Sequence, residues 1–362
     1  MQGPPQAETT ASKDTPLVGT PPDELGDRLG GELGDGLGGE LGDGPAAESG
    51  PITDGVLPLA LRGQLDALSL FLLALLLLVV VGGVTQQFRA GPPGMALTEL
   101  LAILLPALLW SRIAPGRSPE RVALGGGRPG RPRLGVLRTL RLVPSSPLRG
   151  LQLLGGGALW GGALFLVLAV FIEPLFELWL PVPPEERAAL LSLLRPPQGL
   201  RPLAVDLVCF ALVPAICEEV LFRGAILTGL RGYARAAAPG EAGRGRRSRA
   251  LAVLLCALLF GAFHRSMAKL LPTSALGLGF GVAAVYSGSL WPAIAMHAVN
   301  NMLVVLLVRS GRDDVAVDTR LGPLSLQGLV CLLATVALFL LGARLLRRGR
   351  VRTGGRTSSP RA

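Results

Sequence analysis

Three short stretches of this 362-residue chain place acid–base side chains among apolar neighbours. They are Cys217-Glu218-Glu219-Val220-Leu221-Phe222-Arg223-Gly224, Phe260-Gly261-Ala262-Phe263-His264 and His297-Ala298-Val299-Asn300-Asn301. His264 and His297 are the only two histidines in the sequence. Residues four apart share a helix face. Glu219 precedes Arg223 by four, the favourable order for an intrahelical ion pair, so the two are expected to neutralise each other and brace a site. Glu218 lies about 100° around the helix from Glu219. Its own i+4 residue is Phe222, which leaves it without a basic partner. Such a carboxylate in low-dielectric surroundings suits general base and acid work. His297 and Asn301, again four apart, present an imidazole and a carboxamide on one face.

The elements that must position these groups are membrane helices. Hydrophobic residues make up 50% of the chain and charged residues 17%, well under the roughly 25% charge of a soluble globule. Residues 67–88, 150–172 and 321–343 are uncharged runs of 22 or 23 residues, and 270–308 is uncharged for 39. Runs of this length read as bilayer spans and exclude a water-soluble globule. The pattern predicts an all-α, polytopic transmembrane bundle of about eight helices: 67–86, 95–115, 151–172, 203–230, 250–264, 270–287, 290–308 and 324–343. The second is the weakest of the eight, since it contains Glu99 and Pro106. Ser287-Gly-Ser-Leu-Trp-Pro292 supplies a turn, a proline near a helix start and an interfacial tryptophan.

The net charge of +10 rests on 33 Arg and 2 Lys. Nine Arg against one Glu lie between Arg112 and Arg149, and six Arg against Glu241 between Arg231 and Arg249. Seven more follow from Arg344 with no acid, while the alternate loops are balanced. Basic loops stay in the cytoplasm, so both termini are expected there. The arginines alternate with spans and lack interleaved aromatics, so they mark topology and not nucleic-acid binding. The loop 112–149 fits anionic lipid headgroups. The Arg-, Gly- and Ala-rich composition points to a GC-rich bacterial genome and a multi-pass protein of the bacterial inner membrane. On this topology, rises of about 1.5 Å per residue put Glu218, His264, His297 and Asn301 about 20, 22, 14 and 20 Å from the cytoplasmic helix ends.

Residues 1–62 read as a disordered, acidic, Gly/Pro-rich tail. Their two eight-residue repeats from Gly26 and Gly34 do not make a calcium-binding array, which repeats every nine residues over many copies. No signal peptide is expected. Residues 63–149 form two N-terminal helices plus a basic loop, and 346–362 a basic C-terminal tail. Cys209, Cys217, Cys256 and Cys331 sit in apolar segments, as buried free thiols do. The string Gly277, Gly279, Gly281 and Ala283 reads as close helix packing and not as a phosphate loop.

Over residues 150–345 the chain resembles the CPBP family of intramembrane proteases, which includes the CAAX prenyl endopeptidases and bacteriocin-processing and self-immunity proteins. The family's Glu-Glu-x-x-x-Arg, Phe-x-x-x-His and His-x-x-x-Asn motifs stand here as Glu218-Glu219…Arg223, Phe260…His264 and His297…Asn301. The resemblance implies an endopeptidase acting on a membrane-associated peptide or protein. Glu218 would activate a water held by His264, while His297 and Asn301 would stabilise the oxyanion. Glu219, Arg223 and Phe260 would support the site. No cofactor is expected: the chain has only two imidazoles and no His-Glu-x-x-His pair. The alternative is a zinc site from His264, His297 and Glu218. Singly, each group has a plainer reading, such as a buried acid paired elsewhere, a helix-end histidine or interhelical glue. The other function class is a non-proteolytic scaffold or immunity factor of the same fold.

Overall fold

A computed structural model describes residues 59–88, 91–113, 146–194, 200–236, 242–311 and 326–349. The chain divides into residues 1–55 and 56–362. The acidic repeats and the loop segment 114–145 lie outside the described residues. All regular structure among the described residues is helical, and no strand occurs there. The helices are α1 (Leu59–Phe88), α2 (92–113), α3 (147–179), α4 (Pro184–Leu194), α5 (200–236), α6 (Ala242–Phe263), α7 (Met267–Ser287), α8 (Trp291–Arg309) and α9 (Leu326–Gly349).

Six helical stretches are long and apolar enough to cross a membrane: Gly63–Thr85, Pro92–Arg112, Pro147–Trp179, Met267–Ser287, Trp291–Arg309 and Gly328–Gly349. The protein is therefore a multi-pass, all-helical membrane protein. The predicted spans 203–230 and 250–264 are helices, α5 and α6, but do not stand out by length and apolarity. The physical reason is visible in α5, which carries Asp206, Glu218, Glu219 and Arg223, all buried. The exterior of the bundle is leucine-rich, with Leu72 53%, Leu76 60% and Leu340 62% exposed. Water would penalise that surface and hydrocarbon would not.

Two differences from expectation concern helix extent. Helix α4 occupies a segment expected to be a loop; Glu185 and Glu186 sit in its first turn, where carboxylates favour helix starts. Helix α3 runs past its expected end at residue 172 and through Pro174 to Trp179, while α2 continues through Pro106 as expected. A proline ring clashes with the carbonyl four residues back. A wide turn, with bonds running over five residues, relieves that clash. Such turns at Glu99–Leu104, Leu168–Ile172 and Leu207–Leu212 each end two residues before a proline, namely Pro106, Pro174 and Pro214. A fourth wide turn, Val220–Ile226, has no proline and contains Arg223.

Small residues set the helix spacing, since lipid gives no hydrophobic drive between helices. A Cβ on Gly161 of α3 would lie 2.8 Å from the Met296 Cα of α8, and one on Gly229 of α5 3.0 Å from the Gly63 carbonyl oxygen of α1. The glycine string of α7 works this way. Gly277 and Gly281 face Ala257 and Val253 of α6, and Gly279 faces Leu164 of α3. Helix α9 lies along α3, where Trp160 stacks on Phe339 at 5.0 Å and donates from Nε1 to its carbonyl oxygen at 3.0 Å. The predicted break between α7 and α8 is present: Gly288 adopts φ 72°, and Pro292 opens α8.

Candidate active site

Helices α5, α6, α7 and α8 converge on the Glu218–Glu219 pair. The ion pair expected from spacing is formed: Arg223 Nη1 donates to Glu219 Oε1 at 2.8 Å, with both side chains fully buried. The same oxygen accepts from His297 Nδ1 at 3.1 Å, which ties α8 to α5. Arg223 spends Nη2 on the Gly277 carbonyl oxygen of α7 at 2.7 Å. Its guanidinium carbon lies 4.5 Å from the Phe260 ring centroid, 5.3 Å from that of Phe280 and 5.9 Å from that of Phe222. Aromatic faces attract a cation by their quadrupole, most strongly where water is excluded. A Cβ on Gly277 would meet Phe260 at 3.1 Å and Arg223 Nη2 at 3.2 Å, so the glycine is what lets α7 close on this charge.

His297 is held in plane as well as by its nitrogen. Phe280 stacks on it at 5.1 Å with a 19° interplanar angle, and Phe260 meets it edge-on at 5.7 Å. A carboxylate oxygen can only accept, so Nδ1 carries the proton and Nε2 is left for chemistry.

His264 ends α6. Its amide bonds the Gly261 carbonyl oxygen at 3.2 Å, a tightened last turn that leaves the Phe260 carbonyl without an amide partner. The side chain takes that place: His264 Nδ1 donates to Phe260 oxygen at 3.0 Å. A carbonyl accepts only, so the neutral ring presents an unprotonated Nε2. His264 is exposed, and its ring meets Phe260 at 5.1 Å. The helix stops because Arg265 turns left-handed at φ 54°, after which Ser266 caps α7 by accepting from Lys269 N at 3.2 Å. Glu186 of α4 straps this junction through Lys269 at 2.6 Å and Ser266 at 3.0 Å. The bond from Lys269, then that from Ser266, hold the Glu186 carboxyl below the usual carboxylate range.

Glu218 differs from its neighbour. It is buried at 8% exposure and forms no ion pair among the described residues, while the Oε2 of each acid accepts no protein hydrogen bond. The charges that act on it come from Glu99 of α2, from His297, and from Glu219 and Arg223 on its own helix. Asn301 is half-buried one turn beyond His297. It donates from Nδ2 to the Phe210 carbonyl oxygen of α5 at 3.4 Å, and its Oδ1 accepts from Asn300 at 3.3 Å. The structure thus brings Glu218, Glu219, Arg223, His297 and Phe260 into one buried cluster, with His264 packed against Phe260. It sets Asn301 against the wide turn Leu207–Leu212.

Sequence reasoning did not place Glu99, Phe280 or Phe210 at the site, and read Gly277 only as close helix packing. Glu99 carried a signal, a carboxylate inside an otherwise apolar run, but the nearest motif is over a hundred residues away. Among the described residues, no group of three or more His, Cys, Asp and Glu side chains is placed to hold a metal ion.

Residues 200–303 match the family model described as type II CAAX prenyl endopeptidase Rce1-like. All three motifs lie inside the matched residues, and the match supports the CPBP and CAAX-protease kinship. Neither a curated protein nor a solved structure matches the chain.

Proposed function

We propose that the protein is an intramembrane endopeptidase of the glutamate type, cutting a peptide bond of a membrane-associated peptide or protein. The observation that carries this reading is the division of labour between two adjacent acids. Glu219 Oε1 is taken by Arg223 and His297, whereas Glu218, buried beside them, forms no ion pair among the described residues. The match to a CAAX prenyl endopeptidase model supports a protease of this class. In the proposed reaction, Glu218 takes a proton from water as the water oxygen bonds to the scissile carbonyl carbon. His264 Nε2 accepts from that water and orients it. His297, through an Nε2–H, and Asn301 donate to the oxyanion that forms. Asn301 has a second Nδ2 hydrogen for this, beyond the one given to Phe210.

The proposed reaction uses no metal, because the chain has only two imidazoles and no His-Glu-x-x-His pair to supply ligands. Placement in a bacterial inner membrane with both termini cytoplasmic, binding of anionic lipid by the 112–149 loop, and no role in nucleic-acid binding belong to the same proposal. The test is hydrolysis of an internally quenched, prenylated CAAX peptide in liposomes, alongside proteomic comparison of membranes from wild-type and Glu218→Ala cells. Glu218→Ala is expected to lower kcat by about 10²-fold or more and to leave one or more membrane proteins uncut. Strong chelators are expected to leave the rate unchanged. A phenotype that survives Glu218→Ala would favour the scaffold, and chelator inactivation reversed by zinc would overturn the metal-free step.

A further inference from the structure

Helix α2 lies outside the matched residues and outside every motif, yet it delivers a second acid to the site. Its wide turn Glu99–Leu104 packs on the Val213–Glu219 segment of α5. Glu99 is buried at 9% exposure, and its Oε2, like those of Glu218 and Glu219, accepts no protein hydrogen bond, but Glu219 alone of the three has Arg223 and His297 as partners on its other oxygen. The neighbouring groups on α2 and α1 leave it alone: Thr98 bonds Thr85 of α1 at 2.5 Å and the Gly94 carbonyl oxygen at 2.9 Å. Two buried carboxyl groups that each lack a donor, set across one helix contact, cannot both be anions at small cost. A proton between them answers both deficits, because it supplies a donor to one oxygen and removes one charge.

We propose that Glu99 and Glu218 form a carboxyl pair sharing one proton across the α2–α5 contact, with Glu99 as the positioning residue for the water-activating Glu218. This rests on the protease reading for its role, though not for its existence. The charged groups facing the pair are Glu219 and Arg223 on α5 and His297 on α8, with the Cys217 thiol adjacent on α5. In the reaction the pair begins with one proton. It gains a second when Glu218 deprotonates the water and the C–O bond forms. It gives one back to the amide nitrogen as the C–N bond breaks, and returns to its starting state. Glu99 thus sets the charge at which Glu218 works.

The test is an infrared pH titration of carboxyl bands on the full chain in lipid nanodiscs, for wild type, Glu99→Gln and Glu218→Gln. A shared proton makes the wild-type pair titrate in two separated steps that belong to the pair. Either glutamine variant should abolish the upper step and leave a single step near the lower one. Independent acids would instead have each variant remove its own step and leave the other unmoved, and that result would overturn the pairing. If Glu99→Gln fails to assemble, Glu218→Gln and Glu99→Asp read the same coupling. On the quenched peptide, Glu99→Gln should lower kcat about tenfold or more with KM unchanged. It should also turn a bell-shaped pH–rate profile into one without its alkaline limb, and Glu99→Asp should restore part of both. Glutamine keeps the shape of the acid, so an unchanged kcat and profile would sink the role. Full cleavage by Glu218→Gln would instead sink the protease reading and leave the titration result standing.

Discussion

Glu219→Gln removes one charge from the most buried ionic cluster among the described residues while keeping the side chain's shape. Oε1 of Glu219 receives Arg223 Nη1 at 2.8 Å and His297 Nδ1 at 3.1 Å. Hydrogen bonds to a charged acceptor contribute about 1.5–3 kcal/mol, against about 1 for a neutral one, so the two bonds together weaken by roughly 2 kcal/mol. Arg223 then remains buried without its counter-ion, and removing one partner of such a pair costs about 3–5 kcal/mol in all. The Gly277 carbonyl and the three rings still hold the guanidinium, which places the expected loss near the lower bound, about 3 kcal/mol. That is more than a hundredfold in the folded-to-unfolded ratio. The assay is reversible unfolding in bicelles followed by the fluorescence of the four tryptophans. Joint replacement, Glu219→Leu with Arg223→Met, removes both charges and is expected to be less destabilising than Glu219→Gln alone. The reasoning fails if Glu219→Gln costs less than about 1 kcal/mol, or if the double variant is the less stable of the two.

Gly161→Ala puts a Cβ 2.8 Å from the backbone of Met296, which cannot step aside as a side chain would; a loss of about 1–3 kcal/mol is expected by the same unfolding assay, with cleavage reduced because α8 carries His297. Arg265→Gly should raise stability by about 1 kcal/mol, since Arg265 sits at φ 54°, where a Cβ is penalised; a loss would mean that the arginine side chain matters more than its backbone. The strap from Glu186 to Lys269 and Ser266 is depressed in its carboxyl titration. Its contribution is therefore present above the free-glutamate value of about 4.3 and is lost as pH falls through the lower folded value. The hydrogen-exchange protection of α4, corrected for intrinsic rates, should fall below about pH 4 in wild type and stay constant there in Glu186→Gln.

The parts of this site that spacing could reach were those on a single helix. Glu219 and Arg223 form their pair because four residues bring them together on α5, and Phe260 and His264 meet for the same reason on α6. Helix identity was legible from uncharged runs, and the turn at Gly288 from its composition. What spans helices was not legible. Nothing in the sequence around Gly277 says that its carbonyl will receive Arg223, or that Phe280 will lie flat on His297. Glu99 looked like a flaw in a span because its partner sits on another helix, and the wide turn that aims it depends on Pro106 seven residues on. Helices α5 and α6 were expected from the sequence, though the buried charges of α5 keep it from standing out by hydropathy alone.

The placement of the Glu219–Arg223 pair within one helix has a consequence for how the chain enters the bilayer. A lone charge at the centre of an inserting segment costs about 3 kcal/mol at the translocon. In α5 two of the three central charges cancel as soon as the helix winds, before α7 or α8 has been synthesised. Only Glu218 remains to be accommodated, and α2, already inserted, offers it Glu99. Biogenesis and catalysis would then draw on the same carboxyl pair, and an N-terminal deletion ending after α2 would be expected to block insertion of α5 as well as activity.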